Sequence, residues 1–233
     1  GDKISIVING VDIDRFQKTP RDDALAAKWD LSGRFVVGYI GTHGMAHGLS
    51  NVLDAAALPS DNDDCCYLFV GDGAERDSLI KRATNEGLEN VRFIEPQPRE
   101  KMPSIWSVCD LALVHLRDSD VFSEVIPSKI FEAMAMSLPI LLVTPKGVAS
   151  ELVLAARTGI WVPPEEPVAL ASIANRLSAR KKLLALLGRR GEAASGRFSR
   201  KRQAAEMVTI LEAAAAGDGR KSGVGTDTRR YLT

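Results

Sequence analysis

The stretch of this chain richest in chemical groups runs from Glu124 to Ala135. It reads Glu124-Val125-Ile126-Pro127-Ser128-Lys129-Ile130-Phe131-Glu132-Ala133-Met134-Ala135, with seven residues between the two glutamates. Pro127 supplies the fixed φ of a helix start, and Ser128 is suited to capping it. The first turn then aims free backbone N–H groups, with the Lys129 ammonium beside them, at whatever lies above. Dipole, N–H groups and ammonium all favour an anion, and a diphosphate fits. Glu132, one turn further on, is misplaced for phosphate but suited to accept hydrogen bonds from ribose hydroxyls. Glu124, on the loop before the helix, could face a sugar. The same residues also read as a capped core helix carrying two surface glutamates.

Two glycine-bearing loops accompany it. In Gly41-Thr42-His43-Gly44-Met45-Ala46-His47-Gly48 the glycines allow close backbone approach to a ligand, and the helix after them offers N–H groups to a phosphate. The spacing is not the Gly-x-Gly-x-x-Gly of dinucleotide sites, which disfavours a nicotinamide dehydrogenase. Gly71-Asp72-Gly73 either lets a ligand lie across the sheet edge or is a turn with no ligand. His43, His47 and His115 have no zinc spacing, so no metal is expected.

The elements that must position these loops alternate. Apolar runs at 35–40, 67–70, 91–94, 111–114, 140–143 and 160–162 read as strands buried on both faces. Between them lie helical stretches near 49–57, 74–86, 99–108, 128–136 and 149–156, with a long loop from His115 to Pro127. Such alternation means a doubly wound parallel α/β sheet, Rossmann-like, in which ligands bind at the carboxyl ends of the strands. Both ends are expected outside this core. Lys3 to Ile8 reads as an isolated strand followed by a helix-poor segment to Asp30, residues 197–216 as a C-terminal helix, and 217–233 as a disordered tail. The domain proper is placed at 31–196.

The 30 basic and 30 acidic side chains cancel and give no argument for nucleic-acid binding. Arg176 to Arg202, however, carries ten basic residues against the single acid Glu192, read as solvated helix faces or as a flank that meets an anionic membrane. Cys65, Cys66 and Cys109 are odd in number, lack metal-ligand spacing and suit small core positions of a reduced protein. No apolar run approaches the ~20 residues of a spanning helix. The expected location is the cytoplasm, with peripheral attachment at the inner face of the plasma membrane.

The Glu-x7-Glu pattern, followed by Ala-Met-Ala and a turn into Pro139-Ile140-Leu141, resembles the hallmark of retaining glycosyltransferases of the GT-B fold. Pro127 to Met136 together with Gly41 to Gly48 is most similar to the bacterial N-acetyl-L-fucosamine-transferase-like branch, which builds O-antigen and capsule. Asn9-Gly10-Val11-Asp12 resembles that fold's interdomain hinge, and Gly71-Asp72-Gly73, Gly159 and Pro163-Pro164-Glu165 match further family segments. The resemblance implies one half of a GT-B fold, the donor-binding C-terminal half, with 1–30 as the hinge and the last strand of an N-terminal domain. It implies a nucleotide-sugar donor, UDP-linked, with Glu132 on the ribose and Glu124 beside the sugar. It implies that backbone amides around Ile126, Pro127, Ser128 and Lys129 hold the diphosphate, and that Glu95, Pro96 and Gln97 line the base. It implies no cofactor or metal, and a lipid-linked acceptor bound by the other half, without which the chain turns over little. Thr42 and His47 stand where many relatives have Arg and Lys, which shifts leaving-group stabilisation to Lys129, His47 and helix N-termini. Two alternatives remain: a nucleotide-sugar-binding module without catalysis, and a UDP-sugar epimerase of the same fold.

Overall fold

The computed structural model describes residues 4–59 and 64–216. Among them one sheet of six strands is all parallel, in the order β3-β2-β1-β4-β5-β6. The strands are β1 (Phe35–Ile40), β2 (Cys65–Val70), β3 (Val91–Ile94), β4 (Leu111–His115), β5 (Ile140–Val143) and β6 (Gly159–Val162). Between them run α2 (Ser50–Ala56), α3 (Arg76–Asn85), α4 (Met102–Ser107), α5 (Lys129–Ala135) and α6 (Val148–Ala155), after a first helix α1 (Asp23–Lys28). This is the Rossmann-like arrangement expected, and the six strands predicted for the sheet lie within two residues of their observed bounds.

Side chains of the central strands alternate between two apolar layers, which is why these runs are apolar throughout. Val36, Ile40, Leu68, Val70, Ala112 and Val114 face α4, α5 and α6. Val37, Tyr39, Tyr67, Phe69, Leu111 and Leu113 face α2, α3 and α7 (Pro167–Ser178). Strand order reverses between β1 and β4, so the loops that leave these two strands part there and open a crevice.

The ends of the chain depart from expectation. Residues 4–8 form no strand, and Lys3 lies outside the described residues, as does the 217–233 tail. Rather than standing apart, Ile8, Val11 and Phe16 are buried in the same core as Phe198. Val11 bridges Ser199, donating its N–H to the Phe198 carbonyl at 2.8 Å. The segment read as helix-poor contains α1, capped by the Asp22 carboxylate, which accepts from the Leu25 amide. The mixture of Asp, Lys and Arg around Ala24-Leu25-Ala26-Ala27 hides one apolar face of two turns.

The basic stretch is built into the fold as well. It begins in α7 and fills α8 (Lys181–Ser195), where Leu187, Gly188, Gly191 and Ala194 are buried. A Cβ on Gly191 would lie 3.2 Å from Met134 Cα, so α8 lies directly on α5 and backs the helix that carries Lys129 and Glu132. Its cations Lys181, Lys182 and Arg189 stay exposed. The last helix, α9 (Arg200–Ala215), begins at the Ser199 cap and buries only Gln203.

Candidate functional site

A cavity of about 390 Å³ opens at the strand-order reversal. From the end of β1 come Ile40, Gly41, Thr42 and His47; from the end of β4, Leu116; from the approach to α5, Val125, Pro127, Ser128, Lys129 and Glu132. Its size is that of a small-molecule site. Seven of the residues marked by type and spacing therefore meet in one place. Phe16, Arg99 and Met102 complete the wall. Arg99 follows β3 at a strand's carboxyl end, a position that could have singled it out. Phe16 comes from the segment read as lying outside the domain.

Lys129 has an unusual setting. Its Nζ is shut off from solvent and has no hydrogen-bond partner among the described residues. It lies 3.7 Å from the centroid of the Tyr39 ring. Burial lowers its proton affinity to about 7, although the Glu132 carboxylate acts the other way. Leaving an ammonium without an acceptor is costly unless something outside the chain completes it.

Glu132 is tied at one oxygen. The indole N–H of the fully buried Trp106 donates to Oε2 at 3.2 Å. Burial pushes the carboxyl's pKa up, opposed by that indole bond and by the charges of Lys129, Arg200 and Arg99. Trp106 thus fixes one edge of the carboxylate and leaves the other towards the cavity. No sequence signal marked it, because an indole inside an apolar helix reads as core.

The expected Ser128 cap is not formed. Ser128 has helical φ and ψ and makes no side-chain cap bond, since the chain is already turning at Pro127. Among the described residues the amides of Ser128 and Lys129 have no backbone acceptor, while helical bonding begins with the Ile130 N–H to the Pro127 carbonyl. Ile126 is half-buried against the core below. Of the two glutamates, only Glu132 reaches the cavity. Glu124 ends a 3-10 turn (Asp120–Glu124), exposed and outside the lining.

The glycine loop divides between cavity and core. His47 lines the cavity, with its Nδ1 3.4 Å from the His115 carbonyl oxygen. His43 turns inward instead, fully buried edge-on to Phe69 and Phe93, where burial lowers its pKa to about 4. Its ring is therefore held neutral and lies outside the cavity lining. Gly44 starts a 3-10 turn, and Gly48 closes it in the left-handed region with φ 54° against Arg117.

Gly71-Asp72-Gly73 serves the first loop and lies outside the cavity lining. Gly71 has φ 143°, and a Cβ there would collide with the Gly41 carbonyl oxygen; a Cβ on Gly73 would strike the His43 backbone. The His43 N–H donates to the Asp72 carbonyl at 2.8 Å, and the Asp72 carboxylate accepts from the Gly73 amide. The turn is thus a backbone cradle under residues 41–43. Glu95 is likewise occupied, paired with Arg76 at 2.7 Å, with Gln97 Nε2 donating to its carbonyl; neither these nor Pro96 lines the cavity.

All three cysteines are buried free thiols, as expected of core residues. Among the described residues no three His, Cys, Asp or Glu side chains form a group that could hold a metal ion. No described helix is long and apolar enough to cross a membrane.

The chain is 34% identical over 163 residues to the probable glycosyltransferase WbjE of Pseudomonas aeruginosa, covering 68% of this chain and 40% of that protein. It is 30% identical over 131 residues to WcaI of Escherichia coli K12, a candidate colanic acid biosynthesis glycosyl transferase, covering 55% and 32%. It therefore spans less than half the length of these curated relatives. Among solved structures, Anabaena HepE in complex with UDP-glucose superposes with a TM-score of 0.75 at 26% identity, over 90% of this chain and 57% of that one. The sequence model of the family described as glycosyl transferases group 1 matches residues 22–194. With that match covering most of its length and its sheet forming one Rossmann-like half of a GT-B fold, the chain belongs to the glycosyl transferases group 1 family.

Proposed function

We propose that the chain is the donor-binding, C-terminal half of a retaining glycosyltransferase that moves a sugar from a UDP-sugar during bacterial surface-polysaccharide assembly. The observation that carries this reading is the pairing, in one cavity, of a solvent-shielded ammonium without an acceptor and a carboxylate with one tethered edge. Lys129 suits a diphosphate, and Glu132, one helical turn away, suits ribose hydroxyls. HepE, whose structure contains UDP-glucose, supports a nucleotide-sugar donor, and WcaI, named for colanic acid biosynthesis, a polysaccharide role; the N-acetyl-L-fucosamine-transferase-like branch rests on the motif resemblance.

In this reading the bond from the anomeric carbon to the β-phosphate oxygen breaks, and negative charge grows on the departing diphosphate. The Lys129 ammonium and the amides of Ser128 and Lys129 stabilise that charge in place, with little reorganisation. His47 adds a ring N–H at the same wall, and burial together with the Lys129 charge keeps its pKa low. Glu124 acts beside the sugar once donor and partner half bring its loop inward. The remaining half supplies the lipid-linked acceptor, and the exposed cations of α8 meet the cytoplasmic membrane surface. The cradle needs no metal, because fixed positive groups take its place.

Calorimetric titration with UDP, GDP and ADP, alongside a Glu132→Ala variant, tests the proposal. UDP is expected to bind selectively, and the variant to bind it about tenfold more weakly, the loss of a hydrogen-bonded charged group. Equal binding of the three nucleotides, or an unaffected variant, would overturn the UDP assignment.

A further inference from the structure

We propose that Tyr39, which lies behind the cavity wall, is a positioning residue that presents the Lys129 ammonium to the donor diphosphate. The inference rests on the reading of the cavity as a nucleoside-diphosphate site. Lys129 starts on α5, on one face of the sheet, whereas the Tyr39 ring belongs to the apolar layer of the opposite face. The lysine side chain must therefore cross the carboxyl end of β1. It does so beside Gly41, where a Cβ would lie 2.9 Å from Nζ, and ends 3.7 Å from the Tyr39 ring centroid. The phenol hydroxyl at the far edge of that ring donates to the Thr42 carbonyl at 2.7 Å. One fully buried side chain thus holds both the cation and the loop backbone that line the same cavity.

An aromatic face has a consequence that a carboxylate in its place would not. A carboxylate would fix the ammonium by neutralising it and would then compete with phosphate. A ring attracts the cation through its quadrupole and offers no lone pair in the ring plane's face, so the N–H donors stay free for a ligand. This matches a buried Nζ with no acceptor. The other charged or titratable groups around Lys129 do not fill that role. Glu132 is engaged by Trp106, and Arg99 lies at the cavity wall. His43 and His115 are held neutral by burial, with pKa values lowered to about 4, and His47 is also lowered.

Tyr39 also packs against Phe69, at 6.2 Å between ring centroids, so a purely structural role must be separated from a positioning one. The test titrates the chain and its variants with UDP and with uridine, which lacks the diphosphate, and follows folding by circular dichroism. Tyr39→Leu removes the ring, Tyr39→Phe keeps it, and Tyr39→Met stands in should the leucine variant be unfolded at the assay temperature. UDP affinity is expected to fall about tenfold without the ring and less than about threefold with it, uridine affinity being unchanged. In a Lys129→Met background, Tyr39→Leu should cost nothing more, because the two residues act as one unit. Equal losses for UDP and uridine, additive losses in the double variant, or unchanged UDP affinity in folded Tyr39→Leu would each overturn the positioning role. A wild-type chain that binds neither ligand would overturn the nucleotide reading as well.

Discussion

The two ends of the central strands treat charge in opposite ways. At the amino end, Asp110 precedes β4 and accepts from the Val36 amide at 2.8 Å, with the Arg21 guanidinium 3.5 Å away. Arg21 itself donates to the Val108 and Leu31 carbonyls. Arg21 and Asp110 thus both have protein partners and tie β1, β4 and the N-terminal segment together. At the carboxyl end, Lys129 has no hydrogen-bond acceptor among the described residues, and Glu132 has one edge tied. An unsatisfied buried ammonium at the carboxyl end, set against the paired Arg21 and Asp110 at the amino end, marks where a ligand is to complete the structure, and where stability has been given up for it.

The largest effect that can break this comparison comes from beneath the carboxyl end. Gly71→Ala places a methyl group against the Gly41 carbonyl at a φ of 143°, so the first loop must lift. A stability loss of about 2–4 kcal/mol is expected in urea unfolding, together with weaker UDP binding. Retention of both would show that the second turn does not support the first. Next comes Lys129→Met, which should weaken UDP by about 1.5–3 kcal/mol, the range of a hydrogen bond to a charged group. The same change removes an unpaired buried charge, so the melting temperature should hold or rise. A variant that loses stability and keeps UDP affinity would make Lys129 a structural residue and erase the contrast between the two ends.

How far the sequence disclosed these features follows from the range of the forces involved. Burial on both faces leaves continuous apolar runs, so the strands could be read to within two residues. Pro127, Lys129 and Glu132 could be read because a helix start imposes local chemistry. The role of Gly71-Asp72-Gly73 could not, since the clash that demands glycine lies with Gly41, thirty positions earlier. The inward turn of His43 could not be read for the same reason: the loop's composition says nothing of the Phe69 and Phe93 rings that enclose it. Ile8, Val11 and Phe16 looked detached because their partners, Phe198 and its neighbours, are nearly two hundred residues away.

At the amino end, Asp110→Ala leaves the Val36 amide without its acceptor and frees Arg21 from one partner. A loss of about 1–2 kcal/mol is expected, kept modest because this carboxylate is partly solvated. UDP affinity should stay within error, measured in the same titrations. A matching loss of UDP binding would mean that the two ends are coupled through β1 and β4 and that the contrast is not one of independent regions.

The smallest expected effect separates the ends by pH. Lys129 carries a proton affinity lowered to about 7, against an ordinary 10.5, because burial penalises its charged form. Between pH 7 and 10.5 the unfolded chain therefore holds this proton more tightly, so the group's contribution to stability rises with pH across that window. Binding runs the other way. UDP selects the charged ammonium, whose free population falls as pH rises through 7, so affinity should drop about fivefold between pH 7 and pH 8. Over that range UDP is itself ionised, and His47, His43 and His115, all shifted downward, stay neutral. Proton uptake on binding, read by calorimetry in two buffers of different ionisation enthalpy at pH 8, checks the sign. Lys129→Met should abolish both the affinity slope and the uptake, whereas Asp110→Ala should preserve them. A slope that survives Lys129→Met would move the titrating group elsewhere and leave the carboxyl end no more tuned to an anion than the amino end.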